Sequence, residues 1–481
     1  MSVSVGERVA SNAALLIVSR ILSRLVGLGV ILLITRLLGA EGFGEFSFAF
    51  SFVGLFVAVV GMGLTPLVTR EMSRERERAG TLLASVLVLR LAVLLPGLLA
   101  LVWITRAVIG DPARWTPIYL AAASVFTVSF TGTLNGAFRA FEQTQYELLS
   151  FVSSKVILLV LCILCYLGGA GLTVVVGAFA VASVVEFLIS GVLVRTRVVR
   201  SGYRVSAETV REVLTRSIPF ALTAVVGVIY FRIDTVMLRF LKGDLMTGWY
   251  GGAYRFVEAV VFVPEMMAAA LLPVLARRFV RGEPTAGVFA RSFRLFFTLA
   301  LPFALGATFL PRVTRLLGAG FEGSEEVLPL LGWTLFFLFL NFLMVTALNA
   351  AERQRWVTVA LGAGAVANVA LNLLLVPRWG HMGAGAATLI STALVFLAEV
   401  WAVSRTTGIR SIAPMIARPL AAGGATALVW FALGAYRLVW VVPLGGGVYV
   451  LALLLLGGMP AEDRALLRGA LGGARAQVGA L

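Results

Sequence analysis

Charged side chains inside apolar stretches are the residues of this sequence best suited to chemistry. They are Arg20, Arg24, Arg90, Lys155, Glu186, Arg232, Asp234, Arg255, Glu258, Glu265 and Glu399. A charged group near the centre of a bilayer costs a few kcal/mol even on a lenient insertion scale, so it faces a charged partner, a water-filled cavity or a ligand. The set therefore predicts a polar interior within a membrane protein.

Two arginines open this series in the first apolar stretch. Arg20 and Arg24 are four residues apart and share one helix face. They lie roughly 12–18 Å along a helix that begins at Asn12. In one interpretation they extend to the cytoplasmic headgroups, Arg20 being nearer the helix end. In the other they form a cationic lining with Arg90 and Lys155, which have no acidic residue in their own stretches.

Arg255 is a further arginine within an apolar stretch. It can pair with Glu258, three residues further along the same helix.

Asp234 and Glu258 are the candidate sites for a coupling ion, Na⁺ or H⁺. Arg232 and Asp234 are two residues apart and do not share a helix face, so each needs its own partner. The alternative for Asp234 is an interhelical salt bridge.

We expect no resident metal and no cofactor. Cys162 and Cys165 lie in an apolar stretch without further ligands and are interpreted as core residues.

The composition excludes most soluble classes. The chain is 60% hydrophobic and 13% charged, with a mean hydropathy of +0.97, which indicates an all-α polytopic membrane protein. The net charge of +16 comes from basic residues in short loops, a pattern typical of cytoplasmic loops rather than of nucleic-acid binding. Nucleotide and zinc-protease motifs are absent, so we predict a transporter and not an enzyme.

Apolar stretches between Asn12 and Gly458 predict about fourteen transmembrane helices of about 17–25 residues. If the N-terminus is cytoplasmic, about 25 basic residues fall in inner segments and about nine in outer ones. This asymmetry predicts a multi-pass plasma-membrane protein with both termini in the cytoplasm.

An internal repeat divides the chain. Three pairs of segments match in the same order: 35–44 with 238–252, 134–137 with 348–351, and Glu186 with Glu399. Six predicted helices separate corresponding points, and an even number preserves orientation, so the repeats are parallel.

The repeat predicts four regions along the chain. Residues 1–194 form an N-lobe of helices 1–6, and residues 195–217 form a cytoplasmic linker. Residues 218–403 form a C-lobe of helices 7–12, and residues 404–481 hold two extra helices and a cytoplasmic tail. The basic linker is either an amphipathic helix on anionic lipid or a solvated connector.

Three segments resemble those of polysaccharide repeat-unit flippases. Residues 36–44, RLLGAEGFG, resemble an R-x-L-G-P-x-x-Y-G signature, with Ala40 and Phe43 in place of proline and tyrosine. Residues 231–234, FRID, look like the R-x-D motif of the seventh helix. Residues 376–388 are similar to a P-x-x-G-x-x-G-A-A-x-A-T segment. The chain thus resembles the polysaccharide-transporter branch of the MATE/flippase superfamily.

The resemblance implies a V-shaped transporter of two six-helix lobes plus two C-terminal helices, with cationic residues in a central cavity. It implies alternating access that carries a polyprenyl-pyrophosphate-linked oligosaccharide from the cytoplasmic to the outer leaflet. The substrate-binding residues would be Arg20, Arg24, Arg255, Arg90 and Lys155, of which Arg20, Arg24 and Arg255 would bind the pyrophosphate. Arginine suits this role because its planar guanidinium binds phosphate oxygens with two hydrogen bonds and stays charged. We expect a monomer among membrane lipids, with a polysaccharide polymerase or glycosyltransferases as candidate contacts.

Two alternatives come from the same superfamily. A lipid II flippase also has fourteen helices and arginines in helix 1. A multidrug and cation antiporter would be expected to hold a carboxylate early in helix 1 or 7, whereas helix 1 here holds only arginines. A scaffold or receptor that transports nothing would not need so many charges inside its spans.

Overall fold

The structure is a computed structural model that describes residues 5–61, 63–200, 202–407, 413–434 and 436–457. The side chains of residues 5–25, 66, 219–220, 406–407 and 413–415 lie outside this description. Within the described part the chain is helical and contains no β-strand. This agrees with the all-α class predicted from hydropathy.

Fourteen α-helices follow one another along the described chain. They are α1 (Val5–Gly61), α2 (Leu64–Arg74), α3 (Ala79–Val108), α4 (Trp115–Ala140), α5 (Thr144–Leu167), α6 (Leu172–Leu193), α7 (Ala207–Lys242), α8 (Asp244–Val260), α9 (Phe262–Val280), α10 (Ala286–Phe309), α11 (Glu322–Ala350), α12 (Gln354–Thr407), α13 (Ala413–Leu433) and α14 (Leu438–Leu455).

Twelve stretches of the described chain are long and apolar enough to cross a membrane. Two of them, Val26–Gly61 and Gln354–Arg405, each include a glycine kink, at Gly39 and Gly380. Gln354–Arg405 contains two of the spans predicted from the sequence, and Val26–Gly61 covers parts of two others. The chain is therefore a multi-pass membrane protein with the predicted span pattern.

Two kinks have the same backbone conformation at matching repeat positions. Gly39 has φ 65° and ψ −175°, and Gly243, between α7 and α8, has φ 86° and ψ −175°. Only glycine adopts this region readily, because a Cβ would clash there. The shared conformation supports the internal repeat.

The first compact unit comprises Met1–Ala259, Thr314–Ser324 and Leu361–Ala387. Inside it α6 packs against α4 and α5, and α1 packs against α4, α5 and α7. Its main apolar core includes Phe43, Phe52 and Leu158. Cys162 and Cys165 are buried in that core, as predicted, and both are free cysteines.

The second unit comprises Val260–Val313, Glu325–Ala360 and Thr388–Leu481. Here α13 packs against α10 and α14. Trp430 is buried in this contact and its indole N–H donates to the carbonyl of Val441 over 3.0 Å. The tight approach needs glycine at Gly445, where a Cβ would overlap the Trp430 ring.

The segment predicted as a linker is partly helical. A helical turn covers Val194–Val198, and α7 begins at Ala207 rather than at the predicted Ile218. Ser206 explains the earlier start, because its hydroxyl accepts a hydrogen bond from the Thr209 amide and caps the helix. The seventh helix therefore extends beyond its apolar span, which hydropathy alone does not reveal.

Candidate functional site

A three-residue ionic cluster joins α7 and α8 inside their apolar spans. Glu258 Oε1 lies 3.4 Å from Arg232 Nη1, and Glu258 Oε2 forms a salt bridge with Arg255 Nη1. The three side chains are 38%, 26% and 19% exposed in the order Arg232, Glu258, Arg255. One carboxylate thus orients two guanidinium groups that a ligand can still reach.

Arg255 also contacts α1. Its guanidinium carbon lies 5.8 Å from the centre of the Phe43 ring, within the range of a cation–π contact. The pairing of Arg255 with Glu258 predicted from their spacing is therefore present, and Arg232 is a second partner of the same carboxylate. Arg20 and Arg24, on the earlier part of α1, lie outside the described side chains.

Asp234 belongs to a separate, deeply buried polar cluster. It is 2% exposed. Its Oδ2 accepts from the Tyr250 hydroxyl over 2.9 Å, and its Oδ1 accepts from Asn372 Nδ2 over 2.8 Å. Asn368 Oδ1 accepts from the same Asn372 amide over 3.1 Å. As expected from their two-residue spacing, Arg232 and Asp234 have different partners.

Arg90 makes contacts away from both clusters. It is 2% exposed, and its Nη1 donates to the backbone carbonyl and hydroxyl of Ser129, at 2.5 and 2.7 Å. Its Nη2 donates to the Gly61 carbonyl over 3.4 Å. Gly61 is the last residue of α1, where carbonyl groups lack helical partners and a cation is favoured.

Lys155, on α5, interacts with an aromatic ring and a buried carboxylate. Its amino group lies 5.1 Å from the Phe151 ring centre. It also interacts electrostatically with Glu186, a buried residue of α6 that contacts Ser154. The five predicted anion-binding residues are thus not gathered at one point by the described contacts, and their role as a set stays a prediction.

Comparison with known proteins places the chain in a family. The sequence profile described as polysaccharide biosynthesis protein matches residues 9–279, more than half of the chain. The chain belongs to this family. A second profile, described as MatE, matches residues 219–374. The resemblance to the polysaccharide branch of the MATE superfamily is thereby confirmed.

A probable flippase, AglR of Haloferax volcanii, is similar to this family member. The two are 26% identical over 247 residues, which cover 47% of this chain and 48% of AglR. The chain spans about half the length of the curated relatives it matches.

Solved structures share the fold over most of the chain. Lipid II flippase MurJ in an inward closed conformation has a TM-score of 0.75 at 15% identity, covering 95% of this chain and 100% of that one. An inward-facing multidrug resistance MATE family transporter of the MOP superfamily has a TM-score of 0.67 at 18% identity, covering 82% and 95%. These likenesses show that the family member has the MATE-superfamily fold.

The two repeat motifs of this family member touch each other. A Cβ at Gly44 would overlap the carbonyl oxygen of Asp244, and a Cβ at Gly248 would overlap that of Ala40. Gly44 is as far from Gly248 in the sequence as Ala40 is from Asp244. The approach of Gly44 to Asp244 and the approach of Gly248 to Ala40 are therefore related by the repeat. We call it the Gly44–Gly248 contact.

A buried carboxylate beside this contact binds two arginines. Asp244 Oδ2 lies 2.6 Å from Arg114 Nη1, and Asp244 Oδ1 pairs with Arg239. Arg114 also reaches Asp111 over 3.3 Å, and Arg239 lies over the Phe48 ring. The side chain of Asp244 is only 7% exposed. This network ties the α3–α4 connection to the α7–α8 junction.

Sequence reasoning assigned no role to several of these residues. Arg232 stood among the charged residues within spans but had no partner assigned. Asn368 and Asn372 have the four-residue spacing that would have indicated one polar helix face in an apolar span. The Arg114–Asp244–Arg239 network had no signal, because Arg114 lies 130 residues from Asp244 in the sequence and all three residues lie at span ends.

Proposed function

We propose that this protein is a flippase that carries a polyprenyl-pyrophosphate-linked oligosaccharide from the cytoplasmic to the outer leaflet by alternating access. The polysaccharide biosynthesis family and the similarity to a probable flippase support this. A plasma-membrane location with cytoplasmic termini, a monomeric state, and contacts with a polymerase or glycosyltransferases stay predictions.

The observation that carries the proposal is the pair of partly exposed guanidinium groups, Arg232 and Arg255, held by one carboxylate. A pyrophosphate in hydrocarbon has a prohibitive solvation cost unless the protein supplies counter-charge. In our proposal Glu258 orients the arginines and the pyrophosphate binds their remaining N–H groups. Arg20 and Arg24 would add charge from α1.

The test measures flipping of a polyprenyl-diphosphate saccharide in reconstituted vesicles. We expect Arg255→Ala and Arg24→Ala to lose at least about tenfold in rate, because each removes a charge-assisted phosphate contact. Arg255→Lys and Arg24→Lys should retain part of the rate, since they keep the charge and lose the planar fork. Glu258→Gln shows whether Arg255→Ala acts by freeing Glu258.

The matched control for these variants is Arg281→Ala. Arg281 is 71% exposed and pairs only loosely with Glu283, at 3.7 Å, so we expect wild-type flipping. Wild-type rates in well-expressed Arg20→Ala, Arg24→Ala and Arg255→Ala proteins would contradict an anionic substrate at this site.

A lipid II flippase is the second candidate, favoured by the MurJ fold match over 95% of the chain. Both substrates carry a pyrophosphate, so the arginines serve either one. Competition between lipid II and a lipid-linked oligosaccharide in the same vesicles distinguishes them. A multidrug or cation antiporter, the third candidate, is disfavoured by two guanidinium groups on one carboxylate, which repel a cation.

We further propose that Asp234 binds the coupling ion, Na⁺ or H⁺, with Glu258 as the weaker candidate. Oxygen ligands suit a hard cation, and the Asp234 carboxylate accepts from the Asn372 amide, which also donates to Asn368 Oδ1. Asn372 Oδ1 is buried and accepts no hydrogen bond from the described residues. It is thus available to a cation.

Asp234→Asn tests the coupling proposal because it keeps the shape and removes the charge. We expect a loss of the dependence of transport on sodium or on pH, measured as flipping under imposed ion gradients. Glu283→Gln is the control, since Glu283 lies in an exposed connection. Unchanged transport with unchanged sodium and pH dependence in Asp234→Asn would exclude the proposal.

A further inference from the structure

A cavity of about 350 Å³ lies beside the Arg114–Asp244–Arg239 network. Its charged lining consists of Glu45, Asp111, Arg114 and Arg239, and its apolar lining includes Phe48 and Phe240. A volume of this size falls within the ordinary range for small-molecule sites. The proposed function uses none of these residues.

The repeat explains why this cavity exists. Glu45 follows Gly44, and Trp249 follows Gly248, so the two residues hold matching positions on either side of the Gly44–Gly248 contact. The Trp249 indole is in close contact with Gly323 and donates to the Gly320 carbonyl over 2.7 Å. On that side a large aromatic ring fills the space that Glu45 leaves open on the other.

The charged residues that line the cavity differ in whether they form salt bridges. Arg114 and Arg239 both pair with Asp244, and Asp111 pairs with Arg114. Glu45 interacts electrostatically with Arg114 and Arg239, but it forms no hydrogen bond or salt bridge with any residue in the described parts of the chain. A carboxylate therefore faces the cavity with its hydrogen-bonding capacity unused.

The mixed lining selects the class of ligand. Glu45 and Asp111 repel a phosphate, and the arginines repel a cation. A neutral ring with several hydroxyl groups can donate to the carboxylate, accept from guanidinium N–H groups and lay its C–H face on Phe240, which is 45% exposed. Sugar rings have this combination of groups.

We propose that this cavity is a subsite for a sugar ring of the saccharide that the transporter carries. This rests on the proposed function, because it concerns the head of the same lipid-linked substrate. Glu45 accepts hydrogen bonds from ring hydroxyls, and the Asp244 network holds the arginines of the opposite wall in place.

The test measures binding of free disaccharides, cellobiose and the disaccharide of N-acetylglucosamine, to the purified full-length protein by saturation-transfer NMR. We expect binding of at least one disaccharide by the wild type. Glu45→Trp should abolish it, because the indole would fill the cavity as Trp249 fills the matching position. Glu45→Gln should weaken binding about tenfold, since it removes a charged acceptor without adding bulk.

Leu99→Trp is the matched control. Leu99 is 72% exposed on α3, so a tryptophan there adds the same ring outside the cavity, and binding should equal that of the wild type. Binding of neither disaccharide by the wild type, or equal binding by wild type and Glu45→Trp, overturns the proposal.

Flipping assays on the same proteins separate this proposal from the proposed function. Glu45→Trp should slow flipping of a lipid-linked saccharide and leave flipping of the bare polyprenyl diphosphate unchanged. A wild type that flips the lipid-linked saccharide yet binds neither disaccharide refutes the sugar subsite alone. If the wild type binds a disaccharide but flips no lipid, the flippase function is refuted and the sugar-binding cavity is still supported.

Discussion

Gly44→Ala and Gly248→Ala are each expected to reduce transport at least about tenfold. Each should also lower the free energy of unfolding by at least about 1–3 kcal/mol, the usual cost of overpacking. The added Cβ of either variant overlaps a backbone carbonyl, of Asp244 or of Ala40. A backbone atom cannot rotate away as a side chain can, so α1 and α8 must separate. Because the interior is closely packed, that separation disturbs the Asp244 salt bridges as well.

The control for this effect is Gly29→Ala, on the same helix α1. A Cβ at Gly29 meets nothing within 4 Å, and alanine favours a helix over glycine by about 1 kcal/mol, so stability should hold or rise. The measurements are flipping rate and unfolding midpoint of the purified proteins. Wild-type values in both Gly44→Ala and Gly248→Ala would refute the tight helix contact.

The second large effect is expected at Arg90. Arg90→Met should strongly reduce the yield of folded protein, because the carbonyls of Ser129 and Gly61 and the Ser129 hydroxyl lose their donor. A hydrogen bond to a charged donor contributes about 1.5–3 kcal/mol. Arg90→Lys should be intermediate, since an ammonium keeps the charge at the end of α1 but reaches fewer acceptors.

Arg106→Met is the control on the same helix, α3. Arg106 is exposed and its guanidinium lies over the Trp115 ring at 5.4 Å, so its loss should change stability little. Yield after solubilisation and unfolding temperature provide the comparison. If Arg90→Met is as stable as Arg106→Met but fails to bind substrate, Arg90 is a ligand-binding residue, as the sequence alone suggests, and not a cap on α1.

Much of the fold follows from the sequence because a bilayer restricts what a chain can do. Apolar stretches must form helices to satisfy their backbone groups, so the spans could be predicted one by one. Gly39 and Gly243 could also be identified as matching turns, because glycine alone adopts their left-handed conformation readily. The i,i+3 spacing of Arg255 and Glu258 predicted a pair that the structure contains.

Contacts between distant segments could not be predicted in this way. Nothing near Arg232 in sequence identifies Glu258 as its partner, and nothing near Asp234 identifies Asn372. The Ser206 cap sets the start of α7 ahead of the apolar span that hydropathy identifies. From the sequence, Arg90 is a cation with no acidic residue in its own span. In the fold it donates hydrogen bonds to carbonyl groups of two other helices.

The amino-acid sequence by itself thus determined the membrane class and the spans, which depend on local composition. It also indicated the repeat and the family, which depend on short segments that resemble one another or known motifs. Only the tertiary structure decided which charges meet and where space remains. Glu45 and Trp249 hold matching positions in the repeat. Glu45 lines a cavity, whereas the Trp249 ring packs closely against Gly323. That difference depends on how much space the neighbouring side chains leave. Those neighbours are distant in sequence and come together only in the packed tertiary structure.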